Sequence, residues 1–194
     1  MRISDDRYSR ERLRMELALR FLGHEARTQT IRAWTGLSDD RIRKLYRSYM
    51  SQARRQLPRH RGKSPHQVAY FTRSQQLLLE SAVLASMLSL LGVIPPQDPG
   101  AGPAPLPGLT RGAQLCEAFE AYCALVPGAQ ISFEHAVFLA SALTRGDQVR
   151  LSGCAGCGGL VVTERFLVRD ARCQLCSLAN PRQEKLHPRV DHRN

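Results

Sequence analysis

The sequence predicts a mainly α fold: a helical domain containing a helix-turn-helix-like segment, followed by a small C-terminal four-cysteine module. Three observations carry that expectation. Apolar residues recur at helical spacing over most of the chain, between serine, aspartate and glycine cap signals. A Pro/Gly-rich stretch, residues 92–112, interrupts them with six prolines and five glycines. Two Cys-x-x-Cys pairs with fifteen residues between them hold four of the six cysteines.

Composition sets the outer bounds. At 194 residues and 43% apolar content the chain can bury a core of ordinary size, which argues against wholesale disorder. A formal charge of +11 makes nucleic acid the first partner to consider and an anionic membrane surface the second. The opening MRISDDRYSRERLR mixes both charge signs without an apolar run, unlike a secretory signal. Leu77–Ile94 is long enough to span a bilayer. It carries Glu80 and three serines and lacks a bracketing aromatic or basic belt, so it reads as a buried core helix. A cytoplasmic setting, with no membrane partner, is therefore expected. Thiols stay reduced there, so paired cysteines point to metal ligands or redox catalysts before structural disulfides.

The elements follow in order. Residues 4–26 read as a first helix, with Ser4, Asp5 and Asp6 as start signals. Tyr8, Met15, Ala18, Leu19 and Leu22 share one face, while Leu13, Leu17 and Phe21 lie roughly opposite. A helix apolar on two sides is either central in its own core or shared with a partner chain, and the second face is the candidate partner surface. Thr28 is the expected cap of a short helix through Trp34, and Gly36 permits a sharp turn. Ser38, Asp39 and Asp40 start the next helix, with Ile42, Leu45, Tyr46 and Tyr49 on one face and Arg43, Lys44 and Arg47 on the other. Pro58, Gly62 and Pro65 then break the chain, and Ser74 starts the apolar helix to about Leu91. Beyond the 92–112 loop come helices at about 113–125 and 132–145, divided by Pro127 and Gly128. The expected organisation is a helical domain over 1–150 for partner and DNA binding, a metal module over 151–178 and a mobile tail over 179–194.

Cys-x-x-Cys can grip one metal ion from a tight turn, and two such turns complete a tetrahedron. Four thiolates at Cys154, Cys157, Cys173 and Cys176 suit one Zn2+ per chain, in a closed site that stiffens a small fold and does not catalyse. Gly158 and Gly159 let the backbone wrap the sulfurs. A hairpin centred on Thr163-Glu164-Arg165, within LVVTERFLV, would return the second pair to the first. An iron–sulfur cluster fits the same spacing. A thioredoxin-like pair would need a βαβ setting, which is missing. Cys116 and Cys123, seven apart on one helix, read as small core residues, and His187 and His192 in the tail receive no role.

From Arg41 to Lys63 there are nine Lys or Arg and no acidic residue. Ile31, Gly36, Leu37, Ile42 and Leu45 have the core spacing of a helix-turn-helix over 28–50, with Arg43, Lys44, Arg47, Arg54 and Arg55 as candidate DNA contacts. Arg32 falls where such motifs favour a small residue, and Asp40 lies outward among would-be phosphate contacts. Trp34 reads as core. A solvated basic face is the rival reading of the whole segment. No phosphate-cradling loop, paired carboxylates or Cys–His couple suggests an enzyme.

Three stretches together resemble the FlhC family, the zinc-containing subunits of the bacterial flagellar master transcription activator. They are TGLSDDRIRKLYRSY (35–49), ASMLSLLG (85–92) and CAGCGGLVV…ARCQLC (154–176), and with their spacing the resemblance covers most of residues 15–178. It implies a largely helical chain with zinc on Cys154, Cys157, Cys173 and Cys176. It also implies a smaller helical FlhD-like partner in a hetero-oligomer, served here by Leu13, Leu17 and Phe21, and binding to double-stranded promoter DNA of flagellar operons. RNA polymerase is a further candidate partner. The Pro/Gly-rich 94–112 segment departs from the family as an insertion. The rival functional class is a zinc-ribbon RNA-binding or ribosome-associated protein, which exposed aromatics within the basic stretch would favour.

Overall fold

The computed structural model describes residues 3–52, 62–94, 107–166 and 171–179, and among them seven α-helices and one strand pair. The first three helices are α1 (Ile3–Gly23), α2 (Thr28–Thr35) and α3 (Asp39–Gln52). After a single 3-10 turn at Val68–Phe71 come α4 (Gln75–Leu90), α5 (Leu109–Leu125) and α6 (Phe133–Arg145). Strands β1 (Val149–Gly153) and β2 (Leu160–Glu164) precede the short α7 (Gln174–Ala179). The mainly helical expectation therefore stands.

Local signals account for most boundaries. Ser74 caps α4 by accepting from the Leu77 amide at 3.2 Å, and Ser132 caps α6 by accepting from His135 at 3.4 Å. Gly36 and Gly146 close α2 and α6 in the left-handed region, at φ 69° and 64°. At α2 the expected Thr28 cap is replaced. Arg27 is the N-cap residue, and its backbone amide donates to Glu134 Oε1 on α6 at 2.8 Å. A carboxylate from a distant helix thus satisfies one of the orphan donors at the helix start.

One core unites the elements. Phe21 of α1 packs edge-on against Phe133 of α6, with centroids 4.9 Å apart, and lies 6.0 Å from Trp34 of α2. The buried side of α4 runs Leu77, Ser81, Leu84, Ala85 and Leu88, a continuous stripe at helical spacing. No helix among the described residues is long and apolar enough to cross a membrane, which agrees with reading this segment as core. The buried Glu80 accepts from the Tyr122 hydroxyl, from the Gln130 amide at 2.8 Å and from Gln76 Nε2 at 2.9 Å. Burial pushes its carboxyl upward, yet these donors outweigh that and hold it below the usual carboxylate value.

Three sequence expectations need correction. Leu17 and Phe21 are buried in the chain's own core beside Ala18 and Leu22, and only Leu13 of the three candidate partner residues is exposed. The reason is the approach of α5. Gly112 lets it come so near α1 that a Cβ there would stand 2.6 Å from Leu17 Cδ2. The 92–112 loop is shorter than expected. Val93 and Ile94 are buried and α5 starts at Leu109, while residues 95–106 lie outside the described residues. Finally, Thr163 is a buried strand residue and not a turn. β1 and β2 pair antiparallel from Val149↔Glu164 to Gly153↔Leu160, so the hairpin turn is the first cysteine pair itself.

Candidate metal centre

The hairpin explains how the first pair is held. Between Gly153 and Leu160 the chain must reverse, and it does so through Cys154–Gly159. The Cys154 amide donates to the Gly159 carbonyl and the Gly158 amide to the Cys154 carbonyl, both at 2.8 Å. Gly158 takes φ 72°, a left-handed position that favours glycine. Val149 and Val162 belong to the main core, and β2 packs on α4 while β1 packs on α6. The knuckle is thus mounted on the helical body, and the module boundary expected at residue 151 falls inside β1.

The second pair arrives at the start of α7, with Cys173 just before the helix and Cys176 within it. The Ala155 amide donates to the Ala171 carbonyl at 2.8 Å, clipping the segment before α7 to the knuckle. Gln174 Nε2 donates to Gln75 Oε1 at 3.2 Å, tying α7 to the start of α4. A helix of six residues has little stability by itself. Its position depends on these contacts and on the cysteines.

All four predicted ligands meet: the sulfurs of Cys154, Cys157, Cys173 and Cys176 lie within 4.8 Å of one another, and those of Cys157 and Cys173 are 3.7 Å apart. A tetrahedral ion with metal–sulfur bonds of about 2.3 Å requires sulfur–sulfur edges of about 3.8 Å. The spacing fits such an ion, and four thiolates are the donors that suit a soft or borderline divalent metal. Cys154 is buried, Cys157 is exposed, and Cys173 and Cys176 are half-buried.

Electrostatics within the cluster point the same way. Cys154 Sγ accepts from the Cys173 amide at 3.1 Å and from Gly156 at 3.4 Å, and the Cys176 amide donates to Cys173 Sγ at 3.4 Å. Backbone donation from Cys173, then Gly156 and Cys157, brings the Cys154 thiol down to about 6. The adjoining sulfurs of Cys173, Cys157 and Cys154 push Cys176 up to about 12. Backbone donors thus favour a thiolate at Cys154 while the adjoining sulfurs oppose one at Cys176, an opposition that a bound cation would relieve.

The sequence reading missed one residue at this site. Gly156 faces the second pair, and a Cβ on it would stand 2.9 Å from Cys176 Sγ. The glycines expected to matter, Gly158 and Gly159, supply the turn and a looser approach of 3.4 Å to Cys157 Sγ. Cys116 is buried core as expected, whereas Cys123 is exposed, and neither belongs to the cluster.

The basic face takes shape on α3. Ile42 is buried, Leu45 and Tyr46 pack against the core, and Arg43, Lys44 and Arg47 are exposed. Residues 36–38 connect α2 to α3. Asp40 pairs with Arg43 at 3.0 Å, and Arg32, exposed where a small residue was expected, pairs with Asp39 at 3.5 Å. Arg54 and Arg55 lie outside the described residues, as do His187 and His192. No protein-family model and no curated protein sequence matches the chain.

Proposed function

We propose that the protein is a non-enzymatic, cytoplasmic DNA-binding transcriptional activator subunit of FlhC type, which holds one Zn2+ on Cys154, Cys157, Cys173 and Cys176. It acts with an FlhD-like small helical partner on promoters of flagellar operons. The observation that carries the reading is the α2–turn–α3 unit, whose outer helix turns Arg43, Lys44 and Arg47 to solvent while Ile42 anchors its inner side. Strong net positive charge supports a polyanionic partner, and the family resemblance supplies the promoter class.

The zinc assignment rests on four cysteine sulfurs within 4.8 Å of one another, a thiolate set that suits a soft or borderline divalent ion. The metal's role is structural, since four protein ligands leave no open position. Partner contact falls to Leu13, the exposed member of the second apolar face on α1. RNA is less favoured, because Tyr46 and Tyr70 are partly buried against the core and Phe71 is wholly buried, which leaves these rings poor stacking platforms.

Co-expression with a small helical partner, affinity capture of the full chain, metal analysis and footprinting on a flagellar-type promoter test the reading together. One zinc per chain, a co-purifying partner and a protected promoter segment are expected. Equal affinity for single-stranded RNA and promoter DNA would favour the ribosomal or RNA-binding alternative.

A further inference from the structure

The four sulfurs are not equivalent, and their differences have a chemical consequence. Cys154 is buried, and the backbone amides of Cys173 and Gly156 are among those that donate to its sulfur, which ties up the lone pairs a nucleophile needs. Cys157, by contrast, is exposed. Its sulfur lies 3.7 Å from Cys173 Sγ, from the other pair. Gly158 and Gly159 follow Cys157 directly, so the loop bearing it has the backbone freedom to close that gap.

We propose that Cys157 and Cys173 form a peroxide-reactive pair whose oxidation to a disulfide releases the bound metal. The inference rests on the zinc reading above. The Cys157 thiolate attacks one oxygen of hydrogen peroxide, forming an S–O bond as the O–O bond breaks and hydroxide leaves. Cys173 Sγ then attacks that sulfur, the S–S bond forms, and a second hydroxide departs. Two thiolates lose two electrons in all, one peroxide becomes two waters, and the two protons come from solvent. The ion leaves as Zn2+, since Cys154 and Cys176 alone cannot complete a tetrahedron. A disulfide requires sulfurs about 2.05 Å apart, so the pair must approach by a little under 2 Å. The link bridges the knuckle to α7, and it is reversible by thiol reductants.

Selectivity follows from the remaining exposed thiol. Cys123 is also exposed, but burial of its surroundings, then the Glu120 charge, raises its pKa above the ordinary value, so it is mostly protonated near neutrality. Cys157 has a second thiol 3.7 Å away to capture an oxidised sulfur, whereas Cys123 lies outside the cluster.

The test uses the full chain. Metal content is measured first, then hydrogen peroxide is titrated in the presence of a chromogenic zinc chelator, with disulfides mapped by mass spectrometry after alkylation. One zinc released per Cys157–Cys173 link is expected, with Cys154, Cys176 and Cys123 still alkylated, and with reductant plus zinc restoring the start. Cys123→Ser leaves the whole profile unchanged. A Cys154–Cys157 or Cys173–Cys176 link, oxidation of Cys123 ahead of Cys157, or four intact thiols at excess peroxide would each overturn the proposal. A chain isolated without metal sinks the zinc reading instead, and the same map still reports whether Cys157 and Cys173 pair.

Discussion

Gly156 stands so close to Cys176 that a Cβ on it would lie 2.9 Å from the sulfur and 3.1 Å from Cys176 Cβ. Its φ is not in the left-handed region, so space and not backbone strain is what an added methyl would violate. In the proposed metal site that sulfur would be fixed by coordination, unlike the free end of a flexible chain. Gly156→Ala is therefore expected to weaken metal binding by about 1–3 kcal/mol, as overpacking does elsewhere. Gly159→Ala, with a 3.4 Å approach to Cys157 Sγ, should cost less. Chelator competition on the two variants would check the order, and equal affinities would show that the knuckle yields at Gly156.

Losing one ligand should be more severe. Cys157→Ser opens a closed site, and the bound ion is expected to fall from one per chain to near none. The damage should stay graded. α7 is short and rests on the cluster and the Gln174–Gln75 bond, whereas Val149 and Val162 keep the hairpin in the main core. Hydrogen exchange should show protection lost first over 171–179, with α4 and α6 preserved. Full metal retention in all four single Cys→Ser variants would remove the site.

On α1, the burial of Leu17 against the exposure of Leu13 separates folding from association. Leu17→Ala is expected to destabilise the isolated chain by about 2–5 kcal/mol. Leu13→Ala should change stability by less than about 0.5 kcal/mol, while Leu13→Asp should weaken capture of the partner. Thermal melts and pull-downs together would check both. A stable Leu17→Ala chain would mean that α1 and α5 do not pack as closely as Gly112 allows.

Glu80 gives the fold a defined acid response. Its folded pKa lies below the ordinary 4.5, so the contribution is full above that value and is lost as pH falls through the lowered one. Glu80→Gln keeps the shape but removes the charge-assisted bonds from Tyr122, Gln130 and Gln76, at a cost of about 1.5–3 kcal/mol near neutrality. The variant's melting temperature should also fall less steeply on acidification below about pH 5 than the parent's. Parallel curves would place the acid sensitivity elsewhere, for example at Glu120, which Arg20 and His24 hold below the usual value despite the opposing effect of burial.

What the sequence disclosed, and what it hid, divides by range. Ser74, Ser132, Gly36 and Gly146 act on atoms within a few residues, so the helix ends they set were readable. The four ligands were readable too, because chelation imposes their spacing. The place of the hairpin's turn was not, since a turn is expected at Thr163-Glu164-Arg165 and the chain reverses at the first cysteine pair. β1 has five residues, and its partner lies across the knuckle, so neither strand offers a run long enough to show a period. Glu80 looked only like a charge spoiling an apolar run, since its partners Tyr122 and Gln130 are 42 and 50 residues away. Leu17 and Leu13 carry the same side chain on the same face, and only the arrival of Gly112 distinguishes them.

The basic face supplies the last prediction. If Arg43, Lys44 and Arg47 approach a duplex, each phosphate they neutralise releases counterions, and affinity must fall with salt. With four to eight contacts, binding is expected to drop by about two to four decades between about 50 and 200 mM salt. Asp40 refines the expectation. Its 3.0 Å pair with Arg43 orients that guanidinium and offsets its charge, leaving Lys44 and Arg47 as the stronger phosphate candidates. Lys44→Ala or Arg47→Ala should lower the salt slope by about one unit each and weaken all sequences alike. The same holds for Arg54→Ala and Arg55→Ala if the basic run continues the footprint. Arg43→Ala should instead relax preference at one base pair, at about 1–3 kcal/mol, since a guanidinium already aimed by a carboxylate suits guanine better than a phosphate. Asp40→Asn should reproduce part of that loss while raising non-specific affinity, an outcome that a plain phosphate contact at Arg43 would not give. Fluorescence anisotropy over a salt series, with promoter and scrambled duplexes, reads both quantities. Unchanged affinity in the Lys44 and Arg47 variants at every salt concentration would make α3 an ordinary solvated face.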